Sequence, residues 1–369
     1  MGRKSYHHYQ PEVRRQQYPS RRRPGNYPKP ALAIIFLGVF LGGLFLLGCS
    51  PAAGPAPPRE LGAWLVYWEA ESGLSELQAQ GRWFHQVSLF AYELDEAGNP
   101  RPAPGVAEIL PHFLQLAREQ GFQPWVTVVN DVIYVNGTKK LKDVQIFNKL
   151  FKNLNTRLLH VGALVAMVQQ HGFAGLTLDY EGLENFHADD YQALGVELAQ
   201  ELAKNNLGFN VVVEPKRGPL LRPHTARLTV MAYNLHGPHS GPGPRATPAF
   251  IAGLGKRGAG DSRGCPAIAL AVGGFLWPPG GRAQKLSWNA AFRMAPGTVG
   301  VSRSMPADSP FARFPDKSEM WFEDPRSLQA KWAAAREAGF CDLWLWHLGG
   351  NDARLFQWLA QLGATKIGD

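Results

Sequence analysis

From Leu61 onward the chain alternates short apolar runs with amphipathic stretches. Eight runs read as strands, at 63–68, 87–94, 124–130, 173–181, 209–215, 227–234, 267–275 and 341–348. They are nearly continuous in apolar side chains, as expected of strands covered on both faces. Helical periodicity fills most of the gaps, at 106–120, 142–171 with a break near Asn153, 185–205, 247–256, 325–338 and 352–362. Asp324 followed by Pro325 marks a helix start: a side-chain cap, then a residue whose missing N–H costs nothing in the first turn. Alternating strands and helices in this number predict an α/β fold, a (β/α)8 TIM barrel. A doubly wound open sheet is the alternative. Its glycine fingerprint is matched by Gly253, Gly255 and Gly258, but these close a helix pattern instead of following a strand.

The stretch 276–320 has no strong period and is rich in Gly, Pro and Trp. It is too long for an ordinary connection and predicts a loop or small hairpin excursion between strand seven and its helix. A position on the rim would let it shape a cleft. The barrel is expected to occupy 61–369, with a Pro/Ala/Gly-rich tether at 49–60 before it.

The net charge of +8 changes the picture little, because it is misplaced for a binding surface. Residues 1–30 hold eight basic residues and one acid, Glu12, a net of +7, which leaves +1 for the other 339. No nucleic-acid partner follows from it. Behind this basic tail, Ala31 to Gly48 is eighteen residues without a charge, about 27 Å as a helix. A basic stretch before an apolar run reads as a signal peptide or an N-terminal anchor. Leu46-Leu47-Gly48-Cys49 resembles the bacterial lipoprotein signal, in which the cysteine is lipidated, so Cys49 is the candidate lipidation site. An uncleaved anchor and a buried core helix are the other readings. The first two place the folded part outside the cytoplasm, tethered to the bacterial membrane. Cys265 and Cys341 each precede a strand; a disulfide in an oxidising compartment and two buried thiols both fit.

Chemistry concentrates on the fourth strand. In Gly175-Leu176-Thr177-Leu178-Asp179-Tyr180-Glu181, Thr177, Asp179 and Glu181 share one face and the leucines the other. In a barrel the leucine face packs under helices, so the polar face points inward. Two carboxylates there sit at the strand's C-terminal end, where barrel enzymes keep their sites. Coupled acids two residues apart allow one to stay protonated as a general acid. The competing reading is a strand ending in a solvated acidic loop. No HExxH, CxxC pair, nucleophile elbow or P-loop is present, so neither a metal nor a cofactor is expected.

Phe173 to Glu181 resembles the DGxDxDxE signature of glycoside hydrolase family 18, the chitinases and related N-acetylglucosaminidases. Met231-Ala-Tyr-Asn-Leu-His236 resembles the family's sixth-strand M-x-Y-D motif. Val211 to Lys216, Trp321 to Asp324 and Leu343 to Trp346 resemble the branch containing bacterial spore-cortex-lytic enzymes. The resemblance implies Glu181 as general acid and base. It implies Asp179 as the carboxylate orienting the substrate's acetamide, Tyr233 as its hydrogen-bonding partner and Trp346 as the aromatic floor. It implies β-1,4 hydrolysis next to N-acetylglucosamine with retention, the substrate's own N-acetyl oxygen attacking. Peptidoglycan is favoured over chitin as the polysaccharide partner, and a monomer is expected. Ala174 and Thr177 replace the signature's first two acids, and Asn234 replaces the sixth-strand Asp. They support the alternative of a glycan-binding barrel with little or no turnover. Asn130, Thr177, Asn234, Tyr92, Trp68 and Trp277 complete the candidate substrate contacts, the aromatics because they stand near predicted strand ends.

Overall fold

All eight apolar runs form strands: β1 (Leu61–Val66), β2 (Gln86–Asp95), β3 (Gln123–Ile133), β4 (Gly175–Asp179), β5 (Gly208–Val213), β6 (Arg227–Met231), β7 (Ala267–Ala271) and β8 (Asp342–Trp346). Each pairs in parallel with the next, and β8 pairs back onto β1, closing the barrel. The structure is a computed structural model that describes residues 56–183, 187–215, 225–255 and 265–362. The basic tail, the apolar run 31–48 and Cys49 lie outside the described residues. Among the described residues no helix is long and apolar enough to cross a membrane.

Around the barrel run α1 (Ala70–Gln80), α2 (Val106–Gln120), α3 (Leu154–Gln170), α4 (Ala188–Lys204), α5 (Pro248–Leu254), α6 (Pro325–Glu337) and α7 (Ala353–Gln361). Asp324 caps α6 as expected, its carboxylate accepting from the Ser327 N–H at 2.9 Å while Ser327 Oγ accepts from the Asp324 N–H at 3.0 Å. The break near Asn153 is a second capping box, shared with Thr156. Helix α1 had no counterpart in the sequence pattern. It buries only Gly73 and Leu77, too few apolar positions to leave a period.

Strand alternation fills the barrel with matched large and small residues. Gly62 faces the Trp344 indole, and a β-carbon there would stand 2.4 Å from it. Gly175 and Gly208 lie under Trp125 in the same way, at 2.8 and 2.4 Å. Indoles this size fit inside only because glycines yield room across from them. Above them a polar layer crosses the barrel: Ser88 and Thr127 hydroxyls bond at 2.7 Å, Trp64 Nε1–H donates to Thr127, and Thr229 donates to Asn210 at 2.8 Å. Leu176 and Leu178 point outward into the main core, fully buried.

The predicted seventh strand does not run through to 275. After Ala271 the chain turns at Gly273, whose φ of +73° suits glycine, and enters a separate antiparallel sheet. That sheet orders Gln284–Leu286, Gly273–Trp277, Glu319–Glu323, Pro310–Arg313 and Val301–Arg303, with a short helix at Trp288–Met294. The expected hairpin excursion is therefore a five-stranded insertion. Its root is fixed by a buried Lys331–Glu323 pair that also holds Ser309 and Ser327. Cys265 and Cys341, left open by the sequence, are joined as a disulfide with Cα atoms 5.6 Å apart.

Candidate active site

Period two carries Thr177, Asp179 and Glu181 up the inner face of β4, and each ends in a different environment. Thr177 is fully buried in the polar layer, within 3.4 Å of Ser88 Oγ and 3.5 Å of Asn210 Nδ2. It supports the site from below and is no substrate contact, a correction to its expected role. Asp179 stands above it, 7% exposed, with one carboxylate oxygen lacking a hydrogen-bond partner. Burial, then the neighbouring charge of Glu181, push its carboxyl well above the usual range. Glu181 reaches the mouth with its side chain 13% exposed and forms an ion pair with Lys142. Burial raises its pKa while Lys142 opposes the rise. The acid pair expected from the spacing is thus real, with its inner member favouring the protonated form.

Asn130 lies inside β3 and is completely buried. Its side-chain amide donates to the Glu181 carbonyl at 3.0 Å and accepts from the Glu181 N–H at 3.0 Å. The expectation of a substrate contact gives way to a brace, because both ends of the amide are already used. Behind the strand, Tyr180 O–H bonds His160 at 2.8 Å, and His160 bonds the Gly98 carbonyl at 2.7 Å. Burial pushes the His160 pKa down to about 4, so the imidazole is neutral: Nδ1–H donates to Gly98 and Nε2 accepts from Tyr180.

Across the mouth, Tyr233 and Trp346 stack with centroids 6.0 Å apart and planes 12° from parallel. Trp346 is held edge-on by Trp64 at 5.6 Å and Phe90 at 5.3 Å. The peptide joining it to His347 is cis. Burial and then the Asp179 and Glu181 charges hold the Tyr233 phenol well above its usual pKa, so it is a hydrogen-bond donor. Trp68 follows β1, is 46% exposed and packs edge-on to Phe90 at 5.4 Å. A cavity of about 270 Å³ joins Trp68, Phe90, Asn130, Lys142, Asp179 and Glu181. Asn234 follows β6, half-buried, its amide 4.0 Å from Met231 Sδ.

Two aromatic expectations fail. Tyr92 is 4% exposed and packs in the outer core against the helices, near His171. The β2 register shifts between Phe90 and Tyr92 and again before Leu94, so a bulge reverses the parity that would have aimed Tyr92 inward. Trp277 sits in the insertion and not at the end of β7. It is 7% exposed, and its indole N–H donates to the Ser240 carbonyl at 3.1 Å, bracing the loop after β6. Sequence reasoning also missed Lys142, Arg245, Lys285 and His347. Lys142 was read as the start of a helix, whereas it occupies a turn at φ +49°. Among the described residues no cluster of His, Cys, Asp and Glu has the makings of a metal site.

The fold is a (β/α)8 barrel with two carboxylates and an aromatic stack at its mouth, and the comparisons agree on the fold. The barrel fold that the resemblance to glycoside hydrolase family 18 implies is borne out, and spore cortex-lytic enzymes and chitinases stand among the structural neighbours. The spore cortex-lytic enzyme SleL of Bacillus cereus superposes with a TM-score of 0.71 at 16% identity, over 84% of this chain and 75% of that one. A class V chitinase from Pseudomonas fluorescens Pf-5 gives 0.70 at 22% identity, over 83% and 99%. In sequence the chain is 25% identical over 228 residues to YdhD of Bacillus subtilis (strain 168), which carries the name of a sporulation-specific glycosylase. That alignment covers 55% of this chain and 54% of YdhD, so the chain spans about half the length of the curated relative it matches. No family model matches the chain.

Proposed function

We propose that the chain is a retaining glycosidase that cleaves β-1,4 bonds next to N-acetylglucosamine, in peptidoglycan in preference to chitin. The observation that carries this reading is the placement of Glu181 at the mouth, directly above a buried Asp179 and across from the Tyr233–Trp346 stack. Glu181 gives its proton to the glycosidic oxygen. The acetamide oxygen of the sugar on Trp346 attacks the anomeric carbon as the bond to the leaving oxygen breaks. With substrate bound the proton of the coupled pair resides on Glu181, so the Asp179 carboxylate orients that acetamide and offsets its developing positive charge, while the Tyr233 hydroxyl donates to it. Water then opens the oxazolinium ion, with Glu181 taking the proton back. Such a mechanism requires the substrate to carry an N-acetyl group. The branch resemblance and the names of SleL and YdhD support a cell-wall glycan. The apolar run ending at Cys49 supports an envelope location, tethered outside the cytoplasm.

The test is product analysis with purified peptidoglycan and with chitin oligosaccharides, and the anomer is followed by NMR as it forms. The reading expects new reducing ends with the β configuration from an N-acetylglucosamine-terminated product. A Glu181→Gln variant is expected to lose about 10³-fold or more in kcat while still binding glycan. A parent that binds glycan without cleaving it would leave the glycan-binding barrel as the better reading, and a variant as active as a cleaving parent would remove Glu181 as the acid.

A further inference from the structure

The insertion and the loop after β6 place two cations beside the sugar platform, and the glycosidase chemistry uses neither. Arg245 is 7% exposed. Its guanidinium lies over the Tyr233 ring at 5.3 Å and the Phe275 ring at 4.9 Å. Its Nε donates to the Tyr233 carbonyl at 3.3 Å. Among the described residues no carboxylate pairs with it, and none accepts from its two terminal nitrogens. The aromatic faces offset part of the cost of burying that charge, but a guanidinium fork without an anion is an unfinished recognition site.

Lys285 reaches back from the insertion strand Gln284–Leu286 to the same side. Its ammonium hydrogen-bonds His347 Nε2, next to the Trp346 platform, and lies 5.7 Å from the Trp68 ring centre. His347 Nδ1–H donates to the Leu348 carbonyl at 2.7 Å, so the ring is neutral and takes no share of the charge. Glu69 forms an ion pair with this ammonium at 3.7 Å, longer than a direct hydrogen bond and partly exposed to solvent, so it is displaceable. Arg245 and Lys285 are close enough to repel one another. Glu323 also attracts Arg245 but is committed to Lys331, so this wall holds two cations against Glu69 as its one uncommitted acid, while the cavity beside it pairs Asp131, Asp179 and Glu181 with Lys139 and Lys142.

We propose that Arg245 and Lys285 form a carboxylate-reading corner of the sugar cleft, selecting amino-sugar chains in which a saccharide carries an acidic ether substituent. This deepens the glycosidase reading and rests on it. A neutral chitin-type chain offers no partner for either cation. A lactyl-type ether on the 3-oxygen does, through its own free carboxylate or through that of a peptide attached to it.

The experiment compares kcat/KM on four substrates: glycan strands with free lactyl carboxylates, the same strands with those groups amidated, peptide-bearing strands, and chitin oligosaccharides. The parent is expected to favour carboxylated over amidated strands by about tenfold, more at low salt. Arg245→Gln and Lys285→Gln each should lower that ratio by about threefold through KM, and Lys285→Arg should keep most of it. A preference seen only with peptide-bearing strands assigns the carboxylate to the peptide and still supports the corner. Equal rates on amidated strands and on both carboxylate-bearing kinds, free and peptide-bearing, or a preference that Lys285→Gln leaves unchanged, would overturn it. Should the parent cleave none of the four, the glycosidase reading falls by itself. Calorimetric binding of the same strands to the parent and to Lys285→Gln then decides the corner independently.

Discussion

Lys142 Nζ is seated on the carboxylate of Glu181, so the group placed to donate a proton carries a cation that opposes the rise in its pKa. The lysine's own backbone N–H donates to Asp131 at 2.8 Å, which fixes the turn, while its side chain stays 56% exposed and free to leave. Around Glu181, burial raises its pKa first, and Glu214 and Asp131 add to the rise; Lys142 opposes them. Removing the cation with Lys142→Met therefore raises the pKa of Glu181. The alkaline limb of the rate profile marks loss of the acid's proton, so it is expected to move to higher pH, and Lys142→Arg should restore it. Profiles of kcat/KM against pH for the three proteins check this, and an unmoved limb in the methionine variant would show that Lys142 leaves the acid before chemistry.

Asn130 acts on Glu181 through the backbone and not through the carboxylate. Asn130→Ala strips a buried peptide group of both its side-chain partners, at a cost of about 1–3 kcal/mol. The loosened strand end is expected to lower kcat by about 10–100-fold with little change in KM, because orientation and not binding is lost. Urea unfolding and steady-state kinetics measured together test it. A fall confined to KM would mean that the amide meets substrate after all.

The sequence made the barrel legible because eight nearly continuous apolar strands alternate with helices, and the glycine fingerprint of the competing doubly wound sheet does not follow a strand. The β4 carboxylates were legible because Asp179 and Glu181 interrupt an otherwise leucine-rich strand with period two. What stayed hidden depended on local departures from periodicity. The bulge in β2 turned Tyr92 outward, and the turn at Gly273 moved Trp277 off the barrel. Helix α1 left no signal, being nearly without buried apolar residues. Lys142, Arg245 and Lys285 were hidden differently, since each lies in a turn, loop or insertion whose position only the closed barrel and its attached sheet define.

Cys265 and Cys341 enclose 76 residues of sequence separation, including the whole insertion. By the chain-entropy estimate a link of that length stabilises by about 4 kcal/mol. The Cys265→Ser/Cys341→Ser double variant is expected to lose a large part of that in chemical denaturation, and the parent should lose a similar amount when reduced. A reduced parent as stable as the oxidised one would show that the β7 and β8 starts need no covalent link.

His160 gives the fold its own acid sensitivity, separate from the active-site carboxyls. Its folded pKa of about 4 lies below the ordinary 6.5, so between those values the unfolded chain binds the proton more readily. The stability it supplies is complete above pH 6.5 and is lost as pH falls toward 4, about 3 kcal/mol in all. His347, pushed down to about 3, acts in the same direction. The raised carboxyls of Asp179, Glu181 and Glu76 act in the opposite one, so the raw profile of the parent mixes these effects. His160→Gln isolates the imidazole: glutamine can still donate to Gly98 and accept from Tyr180, but it does not titrate. The variant is expected to be less stable at pH 7 and to lose less on going to pH 4.5. Urea unfolding at pH 7, 6, 5 and 4.5 checks the difference, and parallel curves for the two proteins would show that His160 stays protonated or solvated in the folded chain.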